Sequence, residues 1–505
     1  RGSHGIAMKP ELNKAFISVG MVLGSIVFAG GLLLWMVEPS ETDRSRSSAP
    51  VDWGEVRDNP DEVLEISWMG IAAHPGAREG SWIESNLEQK FNIELKPRYI
   101  DWHAFRRRRP LILASGDVPD VMWDGDPLEL RANVRNNFIM EIPYELILEH
   151  APTYVKRLNQ HGKEAWLYAL CDGRNYGLPT FNEANTGPRI STWRGDWLTK
   201  VGIESVPETL PEMEEALRRF RHNDPDGNNR KDTYGWSPYV GHWSLAYIEV
   251  FCTFDILPFD FIARDDSVVW GGVQRECREA LGILRRWYAD ELIDPDFVID
   301  SQNNAMESKF VNGRTGYHHP IDTWDYYNLG DPGSLASKLA KLCPGGTMVP
   351  GPPLRNAGGR RVGRTWGGAA HIMQFGSHLR QQPEKVVRVL RMMEAITVNE
   401  RLYVETRCGK QGLHWELVQG AGMRLLEPYR SGKIARQQEL LHLRGFSSLF
   451  YYPCNLSTIY HQKYERRERM QFVLDNKKPE WAIMNPLGKS DILPSTSRYL
   501  KDLRD

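Results

Sequence analysis

An apolar stretch without a single charged residue runs from Ala15 to Val37. As an α-helix rising about 1.5 Å per residue it would be about 34 Å long, enough to cross the hydrocarbon core of a membrane. Lys9 and Lys14 precede it, which predicts that its N-terminal end stays in the cytoplasm while the following chain lies outside. We interpret residues 15–37 as an uncleaved transmembrane signal anchor, with a cleaved secretory signal as the alternative.

The segments around this stretch are short. Residues 1–7 (RGSHGIA) are similar to the remnant of an expression tag, and residues 8–14 would form a cytoplasmic stub. Residues 38–61 are rich in serine, proline and charge, which is typical of a flexible tether. With either form of the N-terminus, residues 38–505 are exported. We therefore expect a membrane-anchored protein in the periplasm or on the outer face of the plasma membrane.

The size and charge of the chain restrict its architecture and its partners. Its 505 residues exceed what one hydrophobic core usually organises, so two lobes are expected. A formal net charge of -2 gives no reason to expect nucleic acid as a partner. The 6 cysteines are scattered and form no C-x-x-C pair, which argues against a zinc or redox motif of that kind.

Strand and helix patterns alternate at the start of the exported part. Residues 63–68 and 91–95 have strand patterns, residues 118–123 form a third strand, and helical patterns lie between them. This order predicts an open parallel α/β sheet. Ligands bind to such sheets beyond the carboxyl ends of the strands, where Trp123 and Asp124 would lie.

Two later helices are marked by apolar stripes. Thr209 and Glu212 form a capping box ahead of the first helix. Its predicted stripe consists of Met213, Ala216, Leu217 and Phe220. The second stripe, which we expect to stop at Asp294-Pro295, consists of Cys277, Ala280, Leu281, Leu284 and Trp287.

A run of oxygen-bearing residues follows the first of these helices. With Asp224 as position 1, the spacing is that of a calcium loop of the EF-hand type. The predicted calcium ligands are Asp224, Asp226, Asn228, the carbonyl of Arg230, and Asp232. Position 6 is Asn229, which tolerates left-handed backbone, and position 12 is Gly235 instead of the usual glutamate. We predict a structural calcium ion here, and a solvated turn without metal is the alternative.

Seven segments of the chain have a recognisable sequence. In chain order they are LASGDVPDV (113–121), DGRNYGLP (172–179), RGDWL (194–198), the calcium loop DPDGNNRKDTYG (224–235), LIDPDF (292–297), NGRTG (312–316) and GLHW (412–415). In this order they resemble segments of family 1 extracellular solute-binding proteins of ABC importers. The calcium loop resembles in particular the branch that includes alginate-oligosaccharide-binding proteins.

The resemblance implies a two-lobed periplasmic-binding-protein (Venus-flytrap) α/β fold that closes on a sugar and delivers it to ABC permease subunits, without chemistry. By analogy with the family, the chain would cross between the lobes near residues 179–189 and 364–368. The implied division is 62–182 for lobe 1, 183–364 for lobe 2 with the calcium loop, 365–412 for a return to lobe 1, and 413–505 for a C-terminal segment mainly in lobe 2.

Aromatic platforms beside planar polar groups are the residues that suit an oligosaccharide, because sugars present apolar C–H faces and a fringe of hydroxyls. Most of the candidates fall in predicted loops. The predicted ligand-binding residues are Trp123, Asp124, Trp193, Arg194, Trp243, Trp324, Trp366 and Trp415. Four arginines would also suit an acidic sugar such as a uronate: Arg189, Arg194, Arg314 and Arg364.

Two other functions remain open from the sequence. An exported polysaccharide hydrolase or lyase would need a pair of carboxylates, or a Tyr/His/Arg set, across the scissile bond. A sugar-sensing ectodomain would also suit a permanent anchor. Since no catalytic motif is evident, we expect a binding protein and not an enzyme.

Overall fold

The computed structural model describes residues 50–72, 80, 82–124, 127–181, 186–238, 245–299, 303–321, 327, 334–418, 422–430 and 467–484. The predicted anchor at residues 15–37 and the first half of the predicted tether, residues 38–49, lie outside these ranges. Within them, no helix combines the length and the apolar character that a membrane span requires.

The strands, in chain order, are β1 Leu64–Ala72, β2 Ile93–Asp101, β3 Val121–Asp124, β4 Leu170–Cys171, β5 Arg174–Asn175, β6 Leu178–Phe181, β7 Ile190–Arg194, β8 Tyr234–Trp236, β9 Phe261–Arg264, β10 Ser267–Trp270, β11 Thr315–Ile321, β12 Met348–Gly351, β13 Gly363–Arg364, β14 Ala369–Phe375, β15 Trp415–Val418, β16 Gly422–Leu425 and β17 Ala482–Ile483.

The helices are α1 Trp82–Phe91, α2 Trp102–Ala114, α3 Pro127–Arg135, α4 Tyr144–His150, α5 Pro152–His161, α6 Trp166–Ala169, α7 Gly195–Lys200, α8 Leu210–His222, α9 Ile248–Cys252, α10 Arg275–Ala289, α11 Asn303–Val311, α12 Leu335–Leu342, α13 Pro383–Val398, α14 Glu400–Cys408 and α15 Arg467–Asn476.

The first sheet has the strand order β2-β1-β3-β14-β6. Its strands β2, β1 and β3 are parallel, which confirms the predicted parallel arrangement. Strands β14 and β6 are antiparallel to their neighbours, so the complete sheet is mixed. Strands β1 and β2 run several residues further than the sequence pattern indicated, because they pair along their whole length, from Leu64 opposite Ile93 to Ala72 opposite Asp101.

The second sheet has the strand order β12-β7-β11-β8, and α8 packs beside it. The capping box of α8 is confirmed: the Glu212 backbone N–H donates to the Thr209 hydroxyl at 3.4 Å, and the Thr209 N–H donates to the Glu212 carboxylate at 3.1 Å. The four residues of its predicted stripe are all buried. The cap and the stripe therefore locate this helix correctly.

The stripe of α10 is correct except for one residue. Leu281 is 52% exposed, whereas the other four predicted residues are buried. Each residue turns a helix by about 100°, which places Leu281 beyond Cys277 at the edge of the buried face. The helix also ends at Ala289, before the predicted stop, and Glu291 follows in left-handed backbone.

The chain passes between the strands of the two sheets twice. It leaves the first sheet after Phe181 and returns to it at Ala369, so that the strands of the second sheet all lie between these residues. Near the second passage, β13 pairs in parallel with β17 from the C-terminal part of the chain. Of the predicted C-terminal segment, residues 419–421, 431–466 and 485–505 lie outside the described ranges.

Candidate functional site

Trp123 lies at the carboxyl end of β3, at the edge of the first sheet where ligands were predicted to bind. Its indole is 7% exposed and has its centroid 4.0 Å from that of the His371 ring. Phe105 packs against the same indole in an edge-on arrangement at 5.8 Å. The indole nitrogen is buried and has no hydrogen-bond partner in the described part of the chain. Asp124 is the last residue of β3, opposite Ile372 of β14.

Trp366 lies directly after the short strand β13, where the chain returns towards the first sheet. Its side chain is half-buried, and the guanidinium carbons of Arg189 and Arg364 are each 4.3 Å from its ring centroid. Arg189 comes from the first passage between the sheets. The aromatic ring and the two cations therefore bring both passages together.

The Arg364 guanidinium is buried and paired. Its Nε and Nη2 both donate to Asp260 Oδ2, at 3.1 and 2.7 Å. Burial lowers the pKa of Arg364, although the Asp260 charge opposes this effect. The ion pair fixes the side chain that contacts Trp366, because two hydrogen bonds to one carboxylate oxygen leave the guanidinium little freedom.

A cavity of about 20 Å³ lies next to these residues, within the core of the second sheet. Glu249, Tyr317 and Ser191 supply polar groups to its lining. The Tyr317 hydroxyl donates to Glu249 Oε1 at 2.9 Å, and the Ser191 hydroxyl donates to the Gly351 carbonyl at 3.1 Å. A cavity of this volume holds about one water-sized group.

Trp193 and Arg194 belong to β7, and not to a loop as the sequence analysis assumed. Trp193 is 1% exposed, and its ring centroid is 4.5 Å from that of Tyr317. Arg194 forms a buried bidentate ion pair with Asp196 at 2.9 and 2.7 Å. Burial alone would raise the pKa of Asp196, but Arg194 outweighs it and the pKa is lowered.

The length of β7 separates these two residues from Trp366. A strand rises about 3.3 Å per residue, so the side chain position of Arg194 is roughly 13 Å along the strand from Ile190, which follows Arg189. Arg194 is thus held by Asp196 at the far end of the strand, while Arg189 contacts Trp366 at the near end. The structure does not bring Arg194 and Trp366 together.

The remaining predicted ligand-binding tryptophans are placed differently. Trp415 is 2% exposed in the hairpin of β15 and β16, and its indole N–H donates to the Gly409 carbonyl at 2.7 Å. Trp243 and Trp324 lie outside the described residues. Of the six tryptophans, Trp123 and Trp366 are therefore the two that the structure places at the passages or at the ligand edge of the first sheet.

The predicted calcium loop forms an exposed, turn-rich segment after α8. Asp224 accepts hydrogen bonds from the backbone N–H groups of Asn228 and Asn229, at 3.1 and 2.9 Å. Asp226 and Asp232 both accept from the side-chain amide of Asn228, at 2.7 and 3.2 Å. Asn229 has the left-handed backbone that was predicted for position 6, with φ 58.

The charges of this loop suit a cation. Asp224, Asp226 and Asp232 lie on one turn, and burial together with the Asp224 carboxylate raises the pKa of Asp226. A divalent cation would relieve that repulsion and attract the oxygens that now surround the amide of Asn228. Among the described residues, however, no cluster of three or more His, Cys, Asp and Glu side chains is placed to hold a metal ion. Asp224, Asp226, Asn228, Arg230 and Asp232 therefore remain predicted ligands.

Sequence reasoning missed Glu249, Asp260 and His371. Each is a common polar residue within an apolar run, and no spacing rule marks it. Its position next to a ring or a guanidinium arises only from tertiary contacts. The run of buried apolar residues around Glu249, with one carboxylate among them, was the only signal present in the sequence.

No protein-family model matches the chain. In sequence, the chain is 22% identical over 368 residues to the polygalacturonan/rhamnogalacturonan-binding protein YtcQ of Bacillus subtilis. The match covers 72% of this chain and 68% of that protein. It is 26% identical over 247 residues to the fructooligosaccharide ABC transporter substrate-binding protein FusA of Streptococcus pneumoniae, covering 46% and 45% of the two chains.

Solved structures show the fold. FusA of S. pneumoniae, as an EF-hand mutant in complex with fructo-nystose, matches with a TM-score of 0.61 at 18% identity, over 83% of this chain and 84% of that one. The alginate-binding protein AlgQ2, solved without calcium ion, matches with a TM-score of 0.57 at 17% identity, over 89% and 95%. The chain has the two-domain α/β fold of these solute-binding proteins, and its relatives are sugar-binding proteins of ABC transporters, which confirms the resemblance predicted from the sequence.

Proposed function

We propose that this chain is the extracytoplasmic solute-binding protein of an ABC importer, and that it binds an oligosaccharide between its two domains and delivers it unchanged to a permease. The observation that carries this proposal is Trp366, which is half-buried where the two passages of the chain meet. An aromatic face in that position can stack on a sugar ring as the domains close around it.

The flanking arginines make Trp366 a rigid platform. Arg364 is fixed by Asp260, and Arg189 contacts the same ring, so little side-chain entropy is lost when a sugar binds. A micromolar dissociation constant corresponds to about -8 kcal/mol. One or two stacked rings and several hydrogen bonds can supply this after the entropic costs.

The cations at this position favour an acidic oligosaccharide. Two guanidinium groups, those of Arg189 and Arg364, meet at Trp366, and that of Arg364 is paired with the Asp260 carboxylate. A uronate carboxylate is a natural partner for a guanidinium. The named ligands of the relatives include both acidic polymers and fructooligosaccharides, so the sugar class is the part of the proposal that binding experiments decide.

We also propose that the loop from Asp224 to Asp232 holds a structural calcium ion. Asp226 and Asp232 both accept from the side-chain amide of Asn228, and an EF-hand mutant of FusA is among the matching structures, which supports this proposal. Extracellular calcium sites of about 10⁻⁴–10⁻³ M affinity stay filled outside the cell. The ion would fix the turn between α8 and β8 and take no part in sugar binding.

Membrane attachment completes the proposal. The predicted anchor at residues 15–37 would hold the binding domains at the outer surface, close to the permease. Lipoprotein LipO of Bacillus subtilis, which is 25% identical to this chain over 258 residues, is named as a lipoprotein, and this supports the proposed attachment.

Calorimetry of the full chain in mild detergent tests the proposal. The panel contains alginate oligosaccharides, oligogalacturonides and kestose, and each sugar is analysed after incubation. We expect at least one to bind with micromolar affinity and to be recovered intact. Trp366→Ala should weaken that binding about thirtyfold, the effect of losing roughly 2 kcal/mol, because truncating a central aromatic platform typically costs this much.

Tyr288→Ala provides the control, since this aromatic residue is 50% exposed on α10. The affinity of this variant for the sugar should stay within twofold of that of the wild type. Absence of binding to every sugar refutes the proposed function. Cleavage of a sugar supports the hydrolase or lyase alternative instead.

A further inference from the structure

Glu249 carries a carboxylate oxygen for which the described residues provide no hydrogen-bond partner. Oε1 accepts from the Tyr317 hydroxyl at 2.9 Å, whereas Oε2 is buried and has no hydrogen-bond partner in the described part of the chain. A buried polar atom left in this state costs about 1–3 kcal/mol. Native structures rarely keep such an atom unless something else occupies the space beside it.

The space beside Glu249 is the cavity of about 20 Å³ described above. Arg189, Gly363 and Arg364 line it, and they belong to the two passages that join the sheets. Trp366 lies two residues beyond Arg364. The cavity therefore borders the part of the protein where the proposed function places the sugar.

We propose that this cavity is a subsite for one hydroxyl group of the bound sugar, and that Glu249 in its neutral form determines recognition of that hydroxyl. The inference rests on the proposed function. A neutral carboxylic acid both donates and accepts a hydrogen bond, as does a sugar hydroxyl, and the cavity has room for one such group.

The surroundings favour the neutral acid. Burial raises the pKa of Glu249 to about 8. The titratable and charged groups around it are Tyr317 on β11, Cys252 on the same helix, and Arg189 and Arg364 from the passages. Burial also raises the pKa of Tyr317, so the tyrosine remains a donor to Oε1 in the range of interest.

The test is the affinity for the best sugar of the panel, measured from pH 6 to pH 9.5. The wild type should bind about tenfold more weakly at pH 9.5 than at pH 7, because ionised Glu249 loses its donor and becomes a buried charge. Glu249→Gln keeps a donor and an acceptor in the same shape. Because its amide does not ionise, this variant should show an affinity that does not change between pH 6 and pH 9.5.

Glu214→Gln is the matched control. Glu214 lies on α8, forms an ion pair with Arg286 and accepts a hydrogen bond from the Trp287 indole N–H. Its pKa is lowered, so it does not titrate in this range, and the variant should keep the wild-type slope. An unchanged slope in Glu249→Gln overturns the inference while leaving the proposed function intact. The inference is also overturned if the affinity of the wild type does not change with pH while its free energy of unfolding does. That result would mean that the cavity holds only water. A panel without any binding sugar overturns both.

Discussion

Arg388 and Asp58 form an ion pair that is almost completely buried. Arg388 Nη2 lies 2.7 Å from Asp58 Oδ1, and the two side chains are 4% and 1% exposed. The same guanidinium donates to the backbone carbonyls of Glu62 and Phe91, at 3.2 and 2.8 Å. The segment just before β1 is therefore held on α13, although the sequence analysis assigned residues up to 61 to a tether.

Asp58→Asn should lower the free energy of unfolding by about 3 kcal/mol, because it leaves the buried Arg388 charge without its partner. Denaturant unfolding followed by tryptophan fluorescence measures this. Arg391→Gln is the control: Arg391 also contacts Asp58, at 3.0 Å, but it is 48% exposed and an exposed pair contributes at most about 1 kcal/mol. Equal losses in both variants would contradict the prediction.

Glu249 should make stability depend on pH. Its pKa in the folded protein is raised to about 8, above the value of 4.5 expected when unfolded. The stabilisation is complete below pH 4.5 and is lost as the pH rises through 8, since only the unfolded chain ionises in between.

Relative to that of Glu249→Gln, the free energy of unfolding of the wild type should therefore fall by about 1.4 kcal/mol for each pH unit between 5.5 and 7.5. Urea unfolding at a series of pH values provides the comparison. Parallel curves for the two proteins would show that this carboxyl ionises normally in the folded state.

Asp120 should make the stability depend on pH in the direction opposite to Glu249. Burial alone would raise its pKa, but hydrogen bonds from His378 and Ser67 and the charge of Lys385 outweigh it, so the pKa is lowered below 3.8. The stabilisation is present above that value and is lost as the pH falls through the folded pKa.

Asp120→Asn should lower the free energy of unfolding by about 2 kcal/mol at pH 7, because it weakens hydrogen bonds to a charged group. Urea unfolding measures this loss. This cost should shrink as the pH falls below about 3.8, because the unfolded chain takes up a proton at Asp120 before the folded protein does. A cost that stays constant down to pH 3 would contradict the assignment.

Calcium should stabilise the loop between α8 and β8. In 10 mM calcium the melting temperature should exceed that in EDTA by about 2–4 °C, which is the effect of an ion present at roughly ten times its dissociation constant. The double variant Asp224→Ala and Asp232→Ala should remove this difference. A wild-type melting curve that EDTA leaves unaltered would refute the metal site.

The pair Asp265→Ala and Asp266→Ala is the matched control. These aspartates form the turn between β9 and β10, and Asp265 has the same left-handed backbone as Asp224. The control variant should keep the calcium-dependent difference.

Local signals determined which parts of the fold were predictable. The capping box at Thr209 and the stripe of α8 are contained in a few consecutive residues, and both are confirmed. Trp193 was assigned to a loop because the pairing of β7 with β11 and β12 depends on residues more than a hundred positions away.

The candidate site was less predictable for the same reason. Asp260 and Arg364 are separated by 104 residues, and no spacing rule relates them. Trp366 was found from the sequence because it falls in a predicted loop, whereas Glu249 became recognisable only when its partner Tyr317 and the adjoining cavity were known.

The pairing of β13 with β17 connects the second passage of the chain between the sheets to a segment more than a hundred residues later. Gly363 pairs with Ala482 and Arg364 with Ile483, and the Thr365 N–H donates to the Ile483 carbonyl at 2.9 Å. A chain shortened before Ala482 would keep the sugar-contacting side chains proposed above but lose this pairing. If the two domains close on a sugar as proposed, such a truncation would change the equilibrium between the open and closed states without removing a ligand contact.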